Sequence, residues 1–203
     1  MRMLEEIPDS LVLLEHPPTY TLGRKSNRDH FRVPRGWIDS GQVSMYEVDR
    51  GGQITFHGPG QLVGYPVIKL DKGSKEVVHY IRKLERMLIG ALCSLGVDGN
   101  THKDALLSSS STGVWVSDEK IAALGIKLDI NRITTHGFAL NINTDLDYFE
   151  KIIPCGMEDG TITSVERCLG HPIPMAQAID KVMTSFSEVF HYEFVEQDGT
   201  YTV

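Results

Sequence analysis

The stretch that decides the fold runs from Gly113 to Asn143 and reads GVWVSDEKIAALGIKLDINRITTHGFALNIN. Two segments rich in apolar and β-branched residues, 113–117 and 120–130, are separated by the polar pair Asp118-Glu119. This pattern predicts a β-hairpin, and residues 133–143 predict a third strand of the same sheet. The chain therefore contains an antiparallel sheet whose strands follow one another in sequence.

Two long helices are predicted to flank this sheet. The apolar residues of Lys75–Leu95 follow the i, i+3, i+4 spacing, with Ser74 as N-cap and Gly96 past the end. A second long amphipathic helix follows Pro174. Hairpin strands combined with long helices favour an α+β domain with a mixed, largely antiparallel sheet and flanking helices. We expect one such domain over residues 1–203.

The sequence also predicts two short helices and three further strands. A short helix is expected after Thr144, and the spacing of Thr163 and Glu166 matches a capping box for another, which Gly170 ends. Three further segments are predicted to form strands: Leu11–Leu14, which reads as a buried strand, Gln42–Val48, and Leu62–Leu70.

Composition excludes several classes of protein. The 203 residues carry a net charge of −7, which argues against general nucleic-acid binding. Near the N-terminus no apolar run exceeds Leu11–Leu14, so neither a membrane span nor a secretory signal is predicted there. The three cysteines, Cys93, Cys155 and Cys168, form no CxxC pair, which is typical of reduced thiols and predicts no metal site.

Residues 50–61, RGGQITFHGPGQ, are the first candidate site. Four glycines lie between two predicted strands, where a simple hairpin needs two to five residues. Gly51 and Gly52 allow a ligand to approach the backbone closely, and Arg50 and His57 add charge and hydrogen-bond donors. A solvated glycine-rich turn is the alternative. The stretch matches neither a P-loop nor a dinucleotide fingerprint.

Cys155 is the candidate nucleophile. It stands between Pro154 and Gly156, where proline fixes the chain and glycine leaves space beside the sulfur for a carbonyl substrate. Cys93 lies inside the predicted long helix and Cys168 inside a short one, so both are expected to be structural.

Lys120 is a candidate partner for this thiol, and His136 marks a further irregular position. Lys120 heads an apolar strand segment, and an ammonium beside a thiol favours the reactive thiolate. A hairpin-end lysine that reaches solvent is the alternative. His136 precedes Gly137 within a strand, which marks either a close backbone approach or a bulge, unless it is a satisfied core histidine.

Taken together, five ordered motifs resemble those of the lipoyl(octanoyl) transferases. The resemblance spans roughly residues 9–170. The motifs are LLEHPPTYTLG at 13–23, RGG…T.H.PGQ…YP at 50–66, KIAALG at 120–125, HGFALN…DL at 136–146, and PCG at 154–156.

The resemblance implies a fold similar to that of biotin and lipoate protein ligases and assigns roles to several residues. Cys155 would be the nucleophile, and Lys120 would tune it and act as acid and base. It places substrate contacts at Arg50, Gly51, Gly52, Gln53, Ile54, Thr55, Phe56, His57, Ala123, Leu124, Gly125, Gly137, Phe138 and Ala139. Ile121, Leu124 and Phe138 are further expected to line a tunnel for the acyl chain.

The reaction implied is octanoyl transfer from octanoyl-acyl carrier protein to a lysine of lipoyl domains, through a thioester on Cys155. The recipients would be the lipoyl domains of 2-oxoacid dehydrogenase E2 subunits and the glycine cleavage H protein. No cofactor is expected beyond the phosphopantetheine arm that the donor carries. The alternatives are an ATP-dependent lipoate protein ligase and a non-catalytic module that binds acyl carrier protein.

Two features lie outside the motifs. Residues 24–35 hold five basic side chains and one acidic one, a local charge of +4 that is suited to an acidic carrier. The family carries a further strand and helix before the segment equivalent to Leu11–Pro17, where this chain has ten residues, so an N-terminally short form or a late start is expected. We expect a bacterial cytoplasmic protein, with an organelle form (mitochondrial or plastid) that lacks its transit peptide as the alternative.

Overall fold

The predicted hairpin lies in the middle of a seven-stranded sheet in a computed structural model. The structure describes residues 8–26, 30–38, 43–71, 73, 76–102, 112–153, 161–197 and 200–202. The strands of this sheet are β1 (Ser10–Leu14), β5 (Gln61–Val67), β6 (Asn100–Thr101), β7 (Gly113–Val116), β8 (Glu119–Leu128), β9 (Thr134–Asn141) and β10 (Thr161–Ile162). Their order is β1-β5-β9-β8-β7-β6 with antiparallel neighbours, and β10 pairs with β8 in parallel. The prediction of a mixed, largely antiparallel sheet is confirmed.

Two long helices share one hydrophobic core with this sheet. They are α2 (Glu76–Ser94) and α5 (Met175–Phe190). Leu84 and Leu88 of α2 and Phe186 of α5 are fully buried in that core, together with Leu140 of β9. Both predicted long helices are confirmed. The first ends as expected, because Gly96 adopts a left-handed conformation with φ +86°, whereas Ser74 and Lys75 lie outside the described residues.

A second, three-stranded sheet was not predicted. It consists of β2 (Thr19–Leu22), β3 (Ser44–Glu47) and β4 (Ile54–His57), in the order β3-β2-β4. Its own core contains Tyr20, Phe56 and Phe149, the last from the short helix α3 (Asp147–Glu150). The expectation that residues 50–61 lie between two strands is therefore wrong in part, because four of them form the strand β4.

Several smaller predictions need correction. In α4 (Val165–Leu169) the Ser164 hydroxyl accepts a hydrogen bond from the Arg167 N–H at 3.2 Å, so the cap lies one residue after Thr163. A capping box is not formed, because the third helical residue is an arginine. In β1, Leu11 is buried but Val12 is 45% exposed, since this strand lies at one end of the described strand order.

Three short elements complete the described chain: α1 (Arg35–Ile38), β11 (Val195–Gln197) and β12 (Thr200–Thr202). Strands β11 and β12 pair with each other in antiparallel fashion. Within the described ranges, no helix is long and apolar enough to span a membrane.

Candidate active site

A cavity of about 780 Å³ lies between the two sheets. Strands β2, β3 and β4 supply one wall, and β5, β8 and β9 supply the other. The structure brings together, along this cavity, twelve of the fourteen residues at which substrate contacts were predicted. They are Arg50, Gly51, Gly52, Gln53, Thr55, His57, Ala123, Leu124, Gly125, Gly137, Phe138 and Ala139.

Ile54 and Phe56 are the two that do not line the cavity. Side chains alternate along a strand, so these two point to the opposite side of β4 from Thr55 and His57. Both are fully buried, and the Phe56 ring stacks on Tyr148 with centroids 4.4 Å apart. Their predicted contact with substrate is corrected to a role in the core of the smaller sheet.

Of the three residues predicted to line an acyl tunnel, two line the cavity and one does not. Leu124 and Phe138 line the cavity, whereas Ile121 is fully buried in the main core. Val63 and Ile126 also line the cavity, and sequence reasoning missed them. Strands β5, β8 and β9 therefore supply much of the apolar wall, to which Val48 and, from α2, Ile81 also contribute.

Arg50 is buried rather than solvated, so the alternative of a solvated arginine in an open turn is excluded. Its side chain is 8% exposed. Its Nη2 atom donates to the Thr21 carbonyl oxygen at 2.8 Å and to the Thr21 hydroxyl at 2.9 Å, and its Nη1 atom donates to the Gly51 carbonyl at 3.0 Å. These bonds tie the loop before β4 to strand β2 and fix a positive charge in the cavity wall.

Glycines allow the strands behind the cavity to approach one another closely. A Cβ atom on Gly137 would lie 2.1 Å from the Gly64 carbonyl oxygen, and one on Gly125 would lie 3.0 Å from Arg50 Cδ. The sequence alternative of a close backbone approach at Gly137 is thus confirmed. The preceding His136 has φ +61°, which non-glycine residues rarely adopt.

His136 lies at the edge of the cavity and is not a core histidine. Its Nε2 atom is 2.9 Å from Asp49 Oδ1, and the other oxygen of Asp49 is bound by Lys127 Nζ. Hydrogen bonds from Lys127 and His136 hold the pKa of the Asp49 carboxyl well below its usual value. Asp49 thus joins the His136 side chain of β9 to Lys127 of β8.

Two further histidines, His16 and His57, line the cavity as neighbours, with ring centroids 5.7 Å apart. His57 Nδ1 is 2.8 Å from Gln61 Oε1, and burial lowers the pKa of His57 to about 4. His16 Nε2 is 2.7 Å from the Tyr65 hydroxyl, and burial lowers the pKa of His16 and raises that of Tyr65. His57 is therefore neutral near pH 7. Sequence reasoning gave no site role to His16 or Tyr65, although both belong to the quoted motifs.

Lys120 is buried at the inner part of the same cavity, which excludes the alternative of a hairpin-end lysine that reaches solvent. Its side chain is 3% exposed, and Nζ lies 4.8 Å from the centre of the Trp115 ring. The Lys120 carbonyl accepts a hydrogen bond from the Thr163 N–H at 3.0 Å, next to β10. Close to the lysine, the Gly113 N–H donates to the buried carboxylate of Glu85 at 3.1 Å.

No metal site was predicted from the sequence. Among the described residues, no group of three or more His, Cys, Asp or Glu side chains is placed to hold a metal ion.

The basic segment, residues 24–35, is described in part. Lys25 lines the cavity, and Arg24 and Arg32 are exposed nearby in sequence. Arg28 lies outside the described residues, as does the side chain of Arg35.

The sequence model of the lipoyl protein ligase A/B catalytic domain matches residues 1–187. The chain belongs to this family. An octanoyltransferase of Rubrobacter xylanophilus is 46% identical over 186 residues, which cover 91% of this chain and 80% of that protein. An octanoyltransferase of Alkaliphilus metalliredigens is 39% identical over 195 residues, with coverage of 96% and 87%. The structure of a lipoate-protein ligase A bound with ATP has a TM-score of 0.78 at 18% identity, covering 92% of this chain and 74% of that one.

Family membership confirms three of the sequence predictions. The resemblance to lipoyl(octanoyl) transferases is confirmed by the family and by these relatives. The α+β fold similar to that of lipoate protein ligases is confirmed by the structural likeness. Because the relatives are octanoyltransferases, the prediction of an enzyme of the acyltransferase class is confirmed as well.

Cys155, the residue on which the predicted chemistry depends, lies outside the described residues. The described chain stops at Ile153, whose N–H donates to the His30 carbonyl at 2.7 Å, and resumes at Thr161, which pairs with Glu119 beside Lys120. The predicted pairing of Lys120 with Cys155 remains a prediction. The two other cysteines, Cys93 and Cys168, are exposed free thiols on α2 and α4, away from the cavity wall.

Proposed function

We propose that this protein transfers an octanoyl group from octanoyl-acyl carrier protein to a lysine of lipoyl domains, through a thioester on Cys155. The acceptors would be the lipoyl domains of 2-oxoacid dehydrogenase E2 subunits and the glycine cleavage H protein. The reaction needs no cofactor other than the phosphopantetheine arm of the donor. Since the relatives are bacterial octanoyltransferases, we place the reaction in the bacterial cytoplasm.

The burial of Lys120 against the cavity is the observation that carries this proposal. Lysines are rarely fully buried, whereas Lys120 is 3% exposed and lines a cavity large enough for a substrate. The chain returns from the segment that contains Cys155 directly beside this lysine, where Ile162 pairs with Lys120. In the proposed reaction Cys155 supplies the nucleophile and Lys120 the proton carrier.

The cavity wall supports an acyl substrate. Leu124, Ile126, Phe138 and Val63 provide an apolar surface for a hydrocarbon chain. The polar wall, with Arg50 and His57, lies opposite on the smaller sheet and is suited to the polar groups near the reacting carbonyl. A cavity lined by both apolar and polar side chains fits a substrate with a fatty chain and a thioester head.

The proposed reaction has two steps, acylation of Cys155 and transfer of the acyl group to the acceptor lysine. The Cys155 thiolate attacks the donor thioester carbonyl, and the carrier thiol leaves with a proton from the Lys120 ammonium. The amine of the acceptor lysine then attacks the new thioester, neutral Lys120 takes a proton from that amine, and the Cys155 thiolate leaves. Backbone N–H groups stabilise the oxyanion in both steps. The first step exchanges one thioester for another and the second forms an amide, so ATP is not required.

The proposal is tested by supplying a purified lipoyl domain with two donors in separate reactions. We expect octanoylation of the lipoyl domain with octanoyl-acyl carrier protein in the absence of ATP, and none with free octanoate and ATP. Product only with octanoate and ATP would establish a lipoate-ligase type of reaction instead. Carrier binding without product from either donor would establish a non-catalytic binding module.

A further inference from the structure

A chain of buried side-chain amides connects His57 to the strand that runs beside Lys120. Gln61 is 1% exposed and Asn141 is 4% exposed. Gln61 Oε1 is 2.8 Å from His57 Nδ1, Gln61 Nε2 is 2.9 Å from Asn141 Oδ1, and Asn141 Nδ2 is 3.0 Å from the Thr163 carbonyl oxygen. We call these three side chains and that carbonyl the amide relay.

The direction of every hydrogen bond in the amide relay is fixed by backbone carbonyls. A carbonyl oxygen only accepts, so the atom of Asn141 that faces Thr163 must be its NH2 group. The Asn141 oxygen then faces Gln61 and requires the Gln61 NH2 group there. The same NH2 group also donates to the Phe56 carbonyl at 3.2 Å, which fixes Gln61 a second time. Gln61 therefore presents its oxygen to His57.

An oxygen acceptor at Nδ1 requires that His57 carries its proton there. The neutral imidazole has one proton, so the tautomer follows from the partner of one nitrogen, and the other nitrogen is left as an acceptor. His57 Nε2 lies 3.4 Å from the Thr21 hydroxyl, at the limit of a hydrogen bond, on a residue that lines the cavity. We propose that Gln61 and Asn141 are positioning residues, which lock this tautomer and keep Nε2 as a hydrogen-bond acceptor for an N–H group of a substrate.

The charges around His57 select the kind of N–H group. The groups that face it are Gln61 on β5, Thr21 on β2, His16 before β2, His136 on β9 and the guanidinium of Arg50. Buried positive charge disfavours a second cation, so an ammonium is repelled there and a neutral amine is favoured. In the proposed reaction this N–H belongs to the acceptor lysine, which must be neutral to attack the thioester. That assignment rests on the proposed function, whereas the tautomer does not.

The tautomer is measured directly by 15N–1H correlation spectroscopy of the imidazole rings, with the His57 signals identified from their loss in His57→Gln. We expect the proton on Nδ1 and an unprotonated Nε2 at pH 7. In Gln61→Leu the acceptor for Nδ1 is lost, and we expect the His57 proton to move at least partly to Nε2. Asn143→Ala is the matched control, because among the described residues that side-chain amide hydrogen-bonds the backbone of Ile173, at 2.7 and 3.1 Å, and is not part of the amide relay. This variant should leave the tautomer unchanged.

A kinetic experiment measures the two steps of the proposed reaction separately. On enzyme already octanoylated, Gln61→Leu should slow transfer to the lipoyl domain by about tenfold, the size expected for one lost hydrogen bond. Formation of the acyl-enzyme should change by less than about twofold, since the donor thioester has no attacking amine. Asn141→Ala, which leaves Gln61 in place, should lie between these values and serves where Gln61→Leu does not fold.

A proton on Nε2 in the unaltered protein, or an unchanged transfer rate in both relay variants, would overturn the inference. If the unaltered protein forms no acyl-enzyme at all, the proposed function fails, and the tautomer measurement still decides the relay. The two failures are thus distinguishable.

Discussion

At the level of single residues, neutral His57 makes the stability of the protein depend on pH. Burial lowers its pKa from an ordinary value of 6.5 to about 4, so between these values the unfolded chain binds a proton that the folded chain does not. Stability is therefore lost as the pH falls from 6.5 to 4, by up to about 3 kcal/mol from this group alone.

Urea unfolding at a series of pH values tests this expectation. The free energy of unfolding of the unaltered protein should fall more steeply between pH 6.5 and 4 than that of His57→Gln, which has no imidazole to protonate. The two proteins should respond alike above pH 7. Parallel curves across the whole range would show that His57 is protonated equally in both states.

The residues that line the cavity were predictable from sequence only where the motif and the backbone geometry agree. Thr55 and His57 line the cavity as expected, while their neighbours Ile54 and Phe56 do not. The alternation that separates them is evident only once residues 54–57 are known to form a strand. The hydrogen bond between His16 and Tyr65 joins positions 49 apart in sequence, and no local pattern reveals such a pair.

At the level of the elements, an irregularity in the pairing of β7 with β8 sets Lys120 opposite Trp115. The pairing changes register between Val114, which lies opposite Ala122, and Trp115, which lies opposite Lys120. A bulge of this kind redirects side chains, and residues directly opposite each other project to the same face. The bulge thus brings the indole ring of Trp115 under the ammonium of Lys120.

Removing that ring should reduce activity without unfolding the protein. Trp115→Leu is expected to lower kcat by about tenfold, the value of one buried cation–π contact, and Trp115→Phe should lose less. Trp37→Leu is the matched control, because Lys151 Nζ lies over that ring at 5.4 Å and neither residue lines the cavity. Equal losses in both leucine variants would assign the effect to packing.

Two glycines that line the cavity should differ in how well they tolerate replacement by alanine. Gly137→Ala would place a methyl group 2.1 Å from the Gly64 carbonyl oxygen, and we expect it to lower the free energy of unfolding by about 2–3 kcal/mol. Gly51→Ala meets only the Ile126 oxygen at 3.6 Å and should change stability by less than about 0.5 kcal/mol. Urea denaturation of both variants measures this, and equal stability would contradict the packing described.

Elements with a regular pattern or clear end residues were predictable, including short ones such as β3 and α4, whereas β2 and β4 were not. Helix α2 and the β7–β8 hairpin were predicted from their periodicity and their end residues. Strands β2 and β4 have four residues each and lie among prolines and glycines, so no periodicity develops. Their partners come from distant parts of the chain, and the smaller sheet is therefore a product of tertiary packing.

At the level of the whole molecule, a net charge of −7 is opposite in sense to what an acidic carrier protein needs. We expect the basic residues of 24–35 to steer the carrier, since Lys25 lines the cavity and local potential governs encounter. Reversal of charge at Arg24 and Arg32 should raise the apparent KM for octanoyl-acyl carrier protein and flatten its dependence on salt.

Two controls define this test. A small octanoyl thioester, which lacks the acidic carrier, should be used as before by the Arg24→Glu, Arg32→Glu variant. Arg86→Glu with Lys181→Glu changes the net charge equally on α2 and α5, outside the cavity wall, and should leave the carrier KM unchanged. Equal losses with carrier and small thioester would show that the segment supports the fold instead.

The central claim, a thioester on Cys155, is tested most directly by intact-protein mass spectrometry after incubation with octanoyl-acyl carrier protein and no acceptor. The account predicts an increase by the mass of one octanoyl group, which peptide mapping assigns to Cys155 and which hydroxylamine removes. The increase should persist in Cys93→Ser and Cys168→Ser and be absent in Cys155→Ser. An octanoyl group on another residue, or transfer that proceeds at full rate in Cys155→Ala, would contradict the account.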